Sequence, residues 1–105
     1  MPQNNSQISE KTRLRTKEPQ RYDVILHNDD VTTMDFVVYV LQQVFFLSTE
    51  RATTLMLDVH NNGSAIAGTY PYDIALSKAK KTTQMADSAG FPLRVSIAPT
   101  KDLPF

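Results

Sequence analysis

A run of polar residues beside a methionine is well suited to bind a ligand. Residues 28–37 read Asn-Asp-Asp-Val-Thr-Thr-Met-Asp-Phe-Val. The carboxamide of Asn28 and the carboxylates of Asp29 and Asp30 are hydrogen-bond acceptors, and the carboxylates carry negative charge. They precede a predicted helix whose apolar face begins with Met34. Acceptors for a cation beside an apolar wall favour a ligand with a positive head and an apolar body.

A second segment supplies the same combination of groups. Residues 55–60 read Leu-Met-Leu-Asp-Val-His. In a helix, Met56, Val59 and His60 share one face, because they are spaced i, i+3 and i+4. Thioethers adapt to apolar groups of different shape, and capture of an N-terminal amine is a recurring mode of peptide recognition. Together the two segments predict a site for the free amino terminus of a polypeptide that begins with a large hydrophobic residue.

Composition narrows the classes of function. A chain of 105 residues is one small domain with a single core. Acidic and basic residues balance at 11 each, so we expect no nucleic-acid partner. Cysteine is absent, which excludes disulfides, thiolate metal sites and a cysteine nucleophile. No apolar run has the length of a signal peptide or membrane span, so we expect a soluble cytoplasmic domain without membrane contact.

Two regions divide the chain. Residues 1–19 contain only Met1, Ile8 and Leu14 as sizeable apolar residues. Such a segment buries too little apolar surface to offset the entropy lost on ordering. We therefore expect a disordered N-terminal tail over residues 1–19 and a folded domain over residues 20–105.

The folded region predicts the element order β-α-α-β-α-β. Strands are expected at residues 21–27, 64–70 and 93–97, where β-formers are bounded by turn residues. Helices are expected after Asn28-Asp29-Asp30, after Ser48 or Thr49, and over about residues 71–89. This order predicts an α+β sandwich, with a three-stranded antiparallel or mixed sheet and three helices packed on one face.

Capping residues and apolar spacing set the details of the helices. Thr32 is the predicted N-cap of the first helix, with Asp35 three residues later. The second helix should end through a left-handed cap at Asn61-Asn62-Gly63, and the third just before Gly90. The predicted buried stripes are Met34, Val37, Val38, Leu41, Val44 and Phe45 in the first helix, and Ala75, Ala79, Thr82, Ala86 and Ala89 in the third.

In order and spacing, the Asn-Asp-Asp…Thr…Met…Phe-Val run and the Met-x-x-Val-His run resemble the ClpS family of bacterial adaptor proteins. The resemblance covers Tyr22 to Ile97 and includes Gly63 and Gly68. It implies the same α+β architecture and an adaptor that is not an enzyme and needs no cofactor. Such an adaptor binds proteins with N-terminal Leu, Phe, Tyr or Trp degradation signals. It delivers them to the N-terminal domain of a ClpA- or ClpC-type unfoldase, for degradation by the Clp protease.

The resemblance also implies a role for individual residues. The α-ammonium of the incoming peptide would be held by Asn28, Asp29 and His60, with Asp30 and Thr32 at the rim. The hydrophobic pocket would be formed by Met34, Val37, Met56, Val59 and Leu93, with Met34 at its mouth. The unfoldase would be contacted by Asp73 and Lys78. Thr33 stands where many members of the family have proline, which predicts a less rigid loop.

Two other classes of function stay open. Asp29, Asp30 and His60 offer oxygen and imidazole ligands for a divalent metal ion, although no further ligand joins them at helical spacing and no nucleophile is evident. The second alternative is a non-catalytic interaction module of the same fold, similar to the C-terminal domain of the ribosomal stalk protein. Each residue could also have a purely structural role. Asn-Asp-Asp could form a turn, His60 could interact with the C-terminal end of its helix, and the Met and Val residues could belong to the core.

Overall fold

The computed structural model describes residues 19–101. In chain order the elements are β1 (Arg21–His27), α1 (Met34–Gln43), α2 (Thr49–Asn62), β2 (Ser64–Pro71), α3 (Tyr72–Ala89) and β3 (Arg94–Pro99). The strands form one sheet of order β2-β1-β3, and both pairings are antiparallel. The predicted α+β class and element order are confirmed, and the sheet is antiparallel, not mixed.

The predicted N-terminal tail lies outside the described residues, apart from its last residue. Pro19 and Gln20 are exposed and belong to neither a helix nor a strand. The folded domain is described up to residue 101, so the last four residues of its predicted range, 102–105, also lie outside.

The central strand β1 carries the middle of the core. Val24 and Leu26 are fully buried on the face that packs against the helices, while Ile25 between them points to the other face. The register with β2 shifts between Val24 and Ile25. At the far end of the sheet, β2 ends at Pro71 opposite Arg21, and β3 ends at Pro99 opposite Tyr22.

Helix α1 begins one residue later than its predicted cap implies. The N-cap is Thr33 and not Thr32, because Thr33 has the extended backbone of a cap and its hydroxyl accepts a hydrogen bond from Phe36 N. The backbone N–H and hydroxyl of Thr32 instead donate to Asp29. The core-facing side of α1 includes Val40, fully buried, which the predicted stripe omitted.

Helices α2 and α3 close the core over the sheet. Ser48 caps α2 through a hydrogen bond from Arg51 N, and Gly63 ends it with φ of +91°, as predicted. Helix α3 packs against all three strands. The side chains on its buried face are small, namely Ala75, Thr82 and Ala86, so the helix can pack close to the sheet. The prediction that Ala89 is buried was wrong, because it is the last residue of the helix and is exposed.

Candidate functional site

A cavity of about 400 Å³ lies where the loop after β1 meets the start of α1 and the last turns of α2. This volume is in the range of small-ligand pockets. Its lining residues are Asn28, Asp29, Asp30, Val31, Thr32, Thr33, Met34, Val37, Met56, Val59 and His60. The two segments that sequence reasoning singled out are therefore brought together at one site.

The carboxylate of Asp29 organises the loop on the polar side of the cavity. Its Oδ1 accepts hydrogen bonds from Val31 N at 2.8 Å and Thr32 N at 2.6 Å. Its Oδ2 accepts one from Thr32 Oγ1 at 2.7 Å. Oδ1 is thus saturated by the loop, whereas Oδ2 keeps one acceptor position for a ligand. This arrangement gives Asp29 a structural task in addition to any contact with a ligand.

The same contacts keep Asp29 ionised. Burial alone would raise the pKa of this carboxyl group, but the hydrogen bonds from Thr32 and Val31, with a smaller contribution from the charge of Arg94, outweigh it. The net effect is a pKa below the ordinary value of 3.8. Asp29 therefore contributes a negative charge to the site at neutral pH.

A backbone hydrogen bond fixes the loop to the end of α2. Asn28 N donates to Gly63 O at 2.9 Å, just past the turn of α2 that carries His60. The polar residues of the loop are thereby held beside His60. Because the C-terminal end of a helix carries partial negative charge, this end of α2 favours a cation in the cavity.

Three polar side chains of the cavity have groups available for a ligand. Asn28, Asp30 and His60 are exposed, and within residues 19–101 their side chains take part in no hydrogen bond with the protein. Asp30 contrasts with its neighbour Asp29 in this respect. Asp30 can offer both oxygens to a bound amine, whereas Asp29 has one acceptor position left, on Oδ2.

The other side of the cavity is apolar. Val37, Met56 and Val59 are 6%, 8% and 2% exposed, so they form a buried wall, whereas Met34 is 45% exposed and stands at the edge. Leu93 was predicted to join this pocket, and it is buried at 5% exposure. It is not among the residues that line the cavity. Leu93 precedes β3, whereas the lining residues lie on the loop after β1, on α1 and on α2.

Two lining residues were not predicted. Val31 and Thr33 contribute to the cavity, and Val31 is 60% exposed. Both residues lie between Asp30 and Met34 in the sequence, and this position could have predicted their place in the cavity. A loop that carries polar residues to a site also brings the residues between them.

The residues predicted to contact an unfoldase lie elsewhere. Asp73 is exposed in the first turn of α3. Lys78, farther along α3, is half-buried, and its Nζ donates to Val44 O at 2.7 Å. Neither residue lines the cavity, so the proposed docking and binding residues occupy different parts of the surface.

The metal-binding alternative requires a cluster of ligand side chains. Between residues 19 and 101, no three His, Asp or Glu side chains are grouped so that they could hold a metal ion. The metal-binding alternative thus has no ligand set in this range.

No helix within residues 19–101 is long and apolar enough to cross a membrane.

The sequence profile of the family described as "ATP-dependent Clp protease adaptor protein ClpS" matches residues 17–96. The chain belongs to the ClpS family. Proteins of the same description are 49% identical over 92 residues in Campylobacter jejuni (88% of this chain, 94% of the relative) and 44% identical over 87 residues in Clostridium acetobutylicum (83% and 86%).

A solved structure of the same family has a similar fold. Agrobacterium tumefaciens ClpS2 bound to L-phenylalaninamide superposes with a TM-score of 0.77 at 40% identity, over 79% of this chain and 100% of that one. Family membership supports the Clp protease adaptor identification made from the two motifs. It also agrees with the antiparallel α+β architecture described above.

Proposed function

We propose that this ClpS-family adaptor binds the free N-terminus of proteins that begin with Leu, Phe, Tyr or Trp, and delivers them to a Clp-type unfoldase in the cytoplasm. The observation that carries this proposal is the cavity itself, in which free polar acceptors face an apolar wall. The ligand of Agrobacterium tumefaciens ClpS2, L-phenylalaninamide, has the matching chemistry, an α-amino group beside an aromatic side chain.

The α-ammonium of the substrate is bound by Asn28, Asp29 and His60, with Asp30 at the rim. In this arrangement Asn28 accepts a hydrogen bond from the ammonium through its carbonyl oxygen, Asp29 through the remaining acceptor position of Oδ2, and His60 through an unprotonated ring nitrogen. Asp29 also adds its negative charge and, through its hydrogen bonds with Val31 and Thr32, holds the loop in shape. Each hydrogen bond to the charged ammonium contributes roughly 1.5–3 kcal/mol.

The first side chain of the substrate occupies the apolar part of the cavity. Val37, Met56 and Val59 provide its wall, and Met34 borders the entrance. Burying a Leu or Phe side chain there contributes about 1.5–3 kcal/mol. After the loss of rigid-body freedom on association, the sum corresponds to an affinity on the order of micromolar. Such an affinity suits a carrier that has to release its cargo.

Delivery requires contacts that the cavity does not supply. We assign docking on the N-terminal domain of a ClpA- or ClpC-type unfoldase to Asp73 and Lys78. The N-terminal segment, residues 1–19, is proposed to serve delivery and not binding, because every residue assigned to the amine site or the apolar pocket lies between residues 28 and 93. Removal of this segment should leave peptide affinity within about twofold and abolish degradation of the cargo.

A peptide series tests the proposal. Fluorescence anisotropy with a Leu-initiated peptide, the same peptide acetylated at its amine, and an Ala-initiated control separates the two halves of the site. Acetylation removes the charge and leaves the polar groups without a partner, so affinity should fall at least a hundredfold. Equal binding of acetylated and free peptides would refute the amine site, and equal binding of Leu and Ala peptides would refute the apolar pocket.

A further inference from the structure

Methionine supplies all the sulfur of this chain. The sequence has four methionines and no cysteine, so an oxidant that attacks sulfur can react only with thioethers. Met1 lies outside the described residues, and Met34, Met56 and Met85 lie on α1, α2 and α3. Because a dissolved oxidant reaches sulfur from the solvent, the exposure of each side chain decides how readily it is oxidised.

The three described methionines differ in exposure. Met34 is 45% exposed, whereas Met56 is 8% exposed. Met85 is half-buried and packs against the hydrophobic core. Met34 is therefore the most accessible thioether within residues 19–101. Because Met34 does not belong to the hydrophobic core, its oxidation leaves the packing of the core intact.

Met34 stands where a change of polarity acts on the peptide cavity. It lines the cavity beside the buried apolar wall of Val37, Met56 and Val59. Thr33 caps α1 immediately before it, which fixes the backbone of Met34 at the start of the helix. The thioether most open to an oxidant thus also borders the space where the first side chain of a substrate is proposed to bind.

Oxidation of Met34 needs a hydroperoxide, such as hydrogen peroxide. A lone pair of the thioether sulfur attacks one peroxide oxygen, so an S–O bond forms and the O–O bond breaks. The sulfur is oxidised to a sulfoxide, and hydrogen peroxide is reduced to water. A methionine sulfoxide reductase reverses the change, since two thiols give up two electrons and two protons to form a disulfide, and the oxygen leaves as water.

We propose that Met34 is a site of reversible oxidation whose sulfoxide weakens the binding of N-terminal Leu, Phe, Tyr and Trp. The inference rests on the proposed adaptor function. A bound apolar side chain would take water away from the sulfoxide oxygen and offer it no hydrogen-bond donor, which is unfavourable. The amine site keeps its contacts, because its groups lie on the loop after β1 and on α2. Peroxide thus lowers cargo binding, and reduction of the sulfoxide restores it.

The test compares the full chain with its variants Met34→Leu and Met85→Leu. Leucine keeps an apolar side chain of similar volume that peroxide does not oxidise, and Met85, outside the cavity, is the matched control. Each protein is treated with hydrogen peroxide, and peptide mass spectrometry locates the added oxygen. Fluorescence anisotropy with Leu-initiated and Ala-initiated peptides gives affinities before treatment, after treatment, and after incubation with methionine sulfoxide reductases A and B and dithiothreitol.

We expect Met34 to be oxidised before Met56 and Met85. The treated full chain should lose at least about fivefold in affinity for the Leu peptide and less for the Ala peptide. Reduction should restore the affinity to within about twofold of its starting value. Met85→Leu should respond to peroxide as the full chain does, whereas Met34→Leu should have the same affinity before and after treatment.

Two results of this comparison would overturn the inference at the cavity. One is oxidation of Met34 with unchanged affinity for the Leu peptide, and the other is an equal loss of affinity in treated Met34→Leu. Oxidation of Met56 or Met85 ahead of Met34 would overturn the assignment of the site. Failure of the proposed function is a separate result, namely an untreated full chain that does not bind the Leu-initiated peptide.

Discussion

Thr32 holds both oxygens of the Asp29 carboxylate, one through its backbone N–H at 2.6 Å and the other through its hydroxyl at 2.7 Å. The two residues close a short ring within the loop that borders the cavity. The loop is therefore organised by its own side chains before any ligand binds. This ring restricts the conformations of the loop between β1 and α1.

The two neighbouring carboxylates should respond differently to neutralisation. Asp30→Asn removes a charge at the exposed rim, so we expect a modest fall in peptide affinity and little change in Tm. Asp29→Asn puts an amide NH₂ group, which cannot accept, against the donors of Thr32 and removes the charge beside the amine, so affinity should fall further and Tm should fall as well. Anisotropy and thermal unfolding of the two variants check this. A loss of affinity as large for Asp30→Asn as for Asp29→Asn would contradict the assignment of Asp30 to the rim.

The loop between β1 and α1 should lose order at acidic pH. Since the pKa of Asp29 lies below 3.8, its stabilising hydrogen bonds are fully present above that pH and are lost as the pH falls through the lower value in the folded protein. Thr32→Val removes the hydroxyl donor, so the loss of the Asp29 hydrogen bonds should shift to higher pH. Thr32→Ser keeps the hydroxyl and should cause no such shift. An NMR titration of the Asp29 carboxyl carbon reports this directly. Titration of Asp29 above 3.8 in the unmodified chain would contradict the assignment.

Met34 should control which side chains enter the cavity. Its exposed position at the edge predicts that Met34→Ala widens the entrance and admits the β-branched residues Val and Ile, with little effect on stability. Peptides varied at the first residue, measured by anisotropy, give the profile. Met85→Ala, a methionine of α3 outside the cavity, serves as the control. An unchanged profile for Met34→Ala would make Met34 a packing residue only.

The sequence predicted the elements well because their signals are local. Ser48, Gly63 and Gly90 mark helix boundaries by chemistry that acts within one turn. In the structure Ser48 caps the start of α2, Gly63 ends α2 and Gly90 ends α3. The difference between Thr32 and Thr33, or between Asp29 and Asp30, could not be predicted in this way. The two members of each pair have the same donors and acceptors, and all four residues line the cavity. The path of the backbone decides which threonine caps α1 and which carboxylate accepts hydrogen bonds from the loop.

The same limit applies to Leu93 and Phe46. Leu93 is apolar, as a pocket residue should be, but it is not among the residues that line the cavity, and no local pattern encodes how the chain before β3 packs. Phe46 follows Phe45, the last residue of the predicted stripe of α1, yet Phe45 is 5% exposed and Phe46 is 78% exposed. The left-handed turn after α1 separates them.

A buried hydroxyl in α3 offers a gain in stability. Thr82 is fully buried, and within the described residues its Oγ1 has no hydrogen-bond partner. Thr82→Val keeps the shape and removes the unsatisfied group, so we expect the free energy of unfolding to rise by about 1 kcal/mol. Denaturant unfolding measures the change, with the exposed Thr83→Val as control. A loss of stability would show that the hydroxyl has a partner after all.

The two outer strands both finish in proline, Pro71 on β2 and Pro99 on β3, at the same end of the sheet. Proline has no N–H to donate, so each outer strand lacks one backbone donor at that end, although Thr100 N still donates to Arg21 O beyond Pro99. An open sheet edge can pair with an extended chain. Such a chain would meet fewer backbone donors at this end of the sheet, so pairing there is less favourable than along the rest of either outer strand.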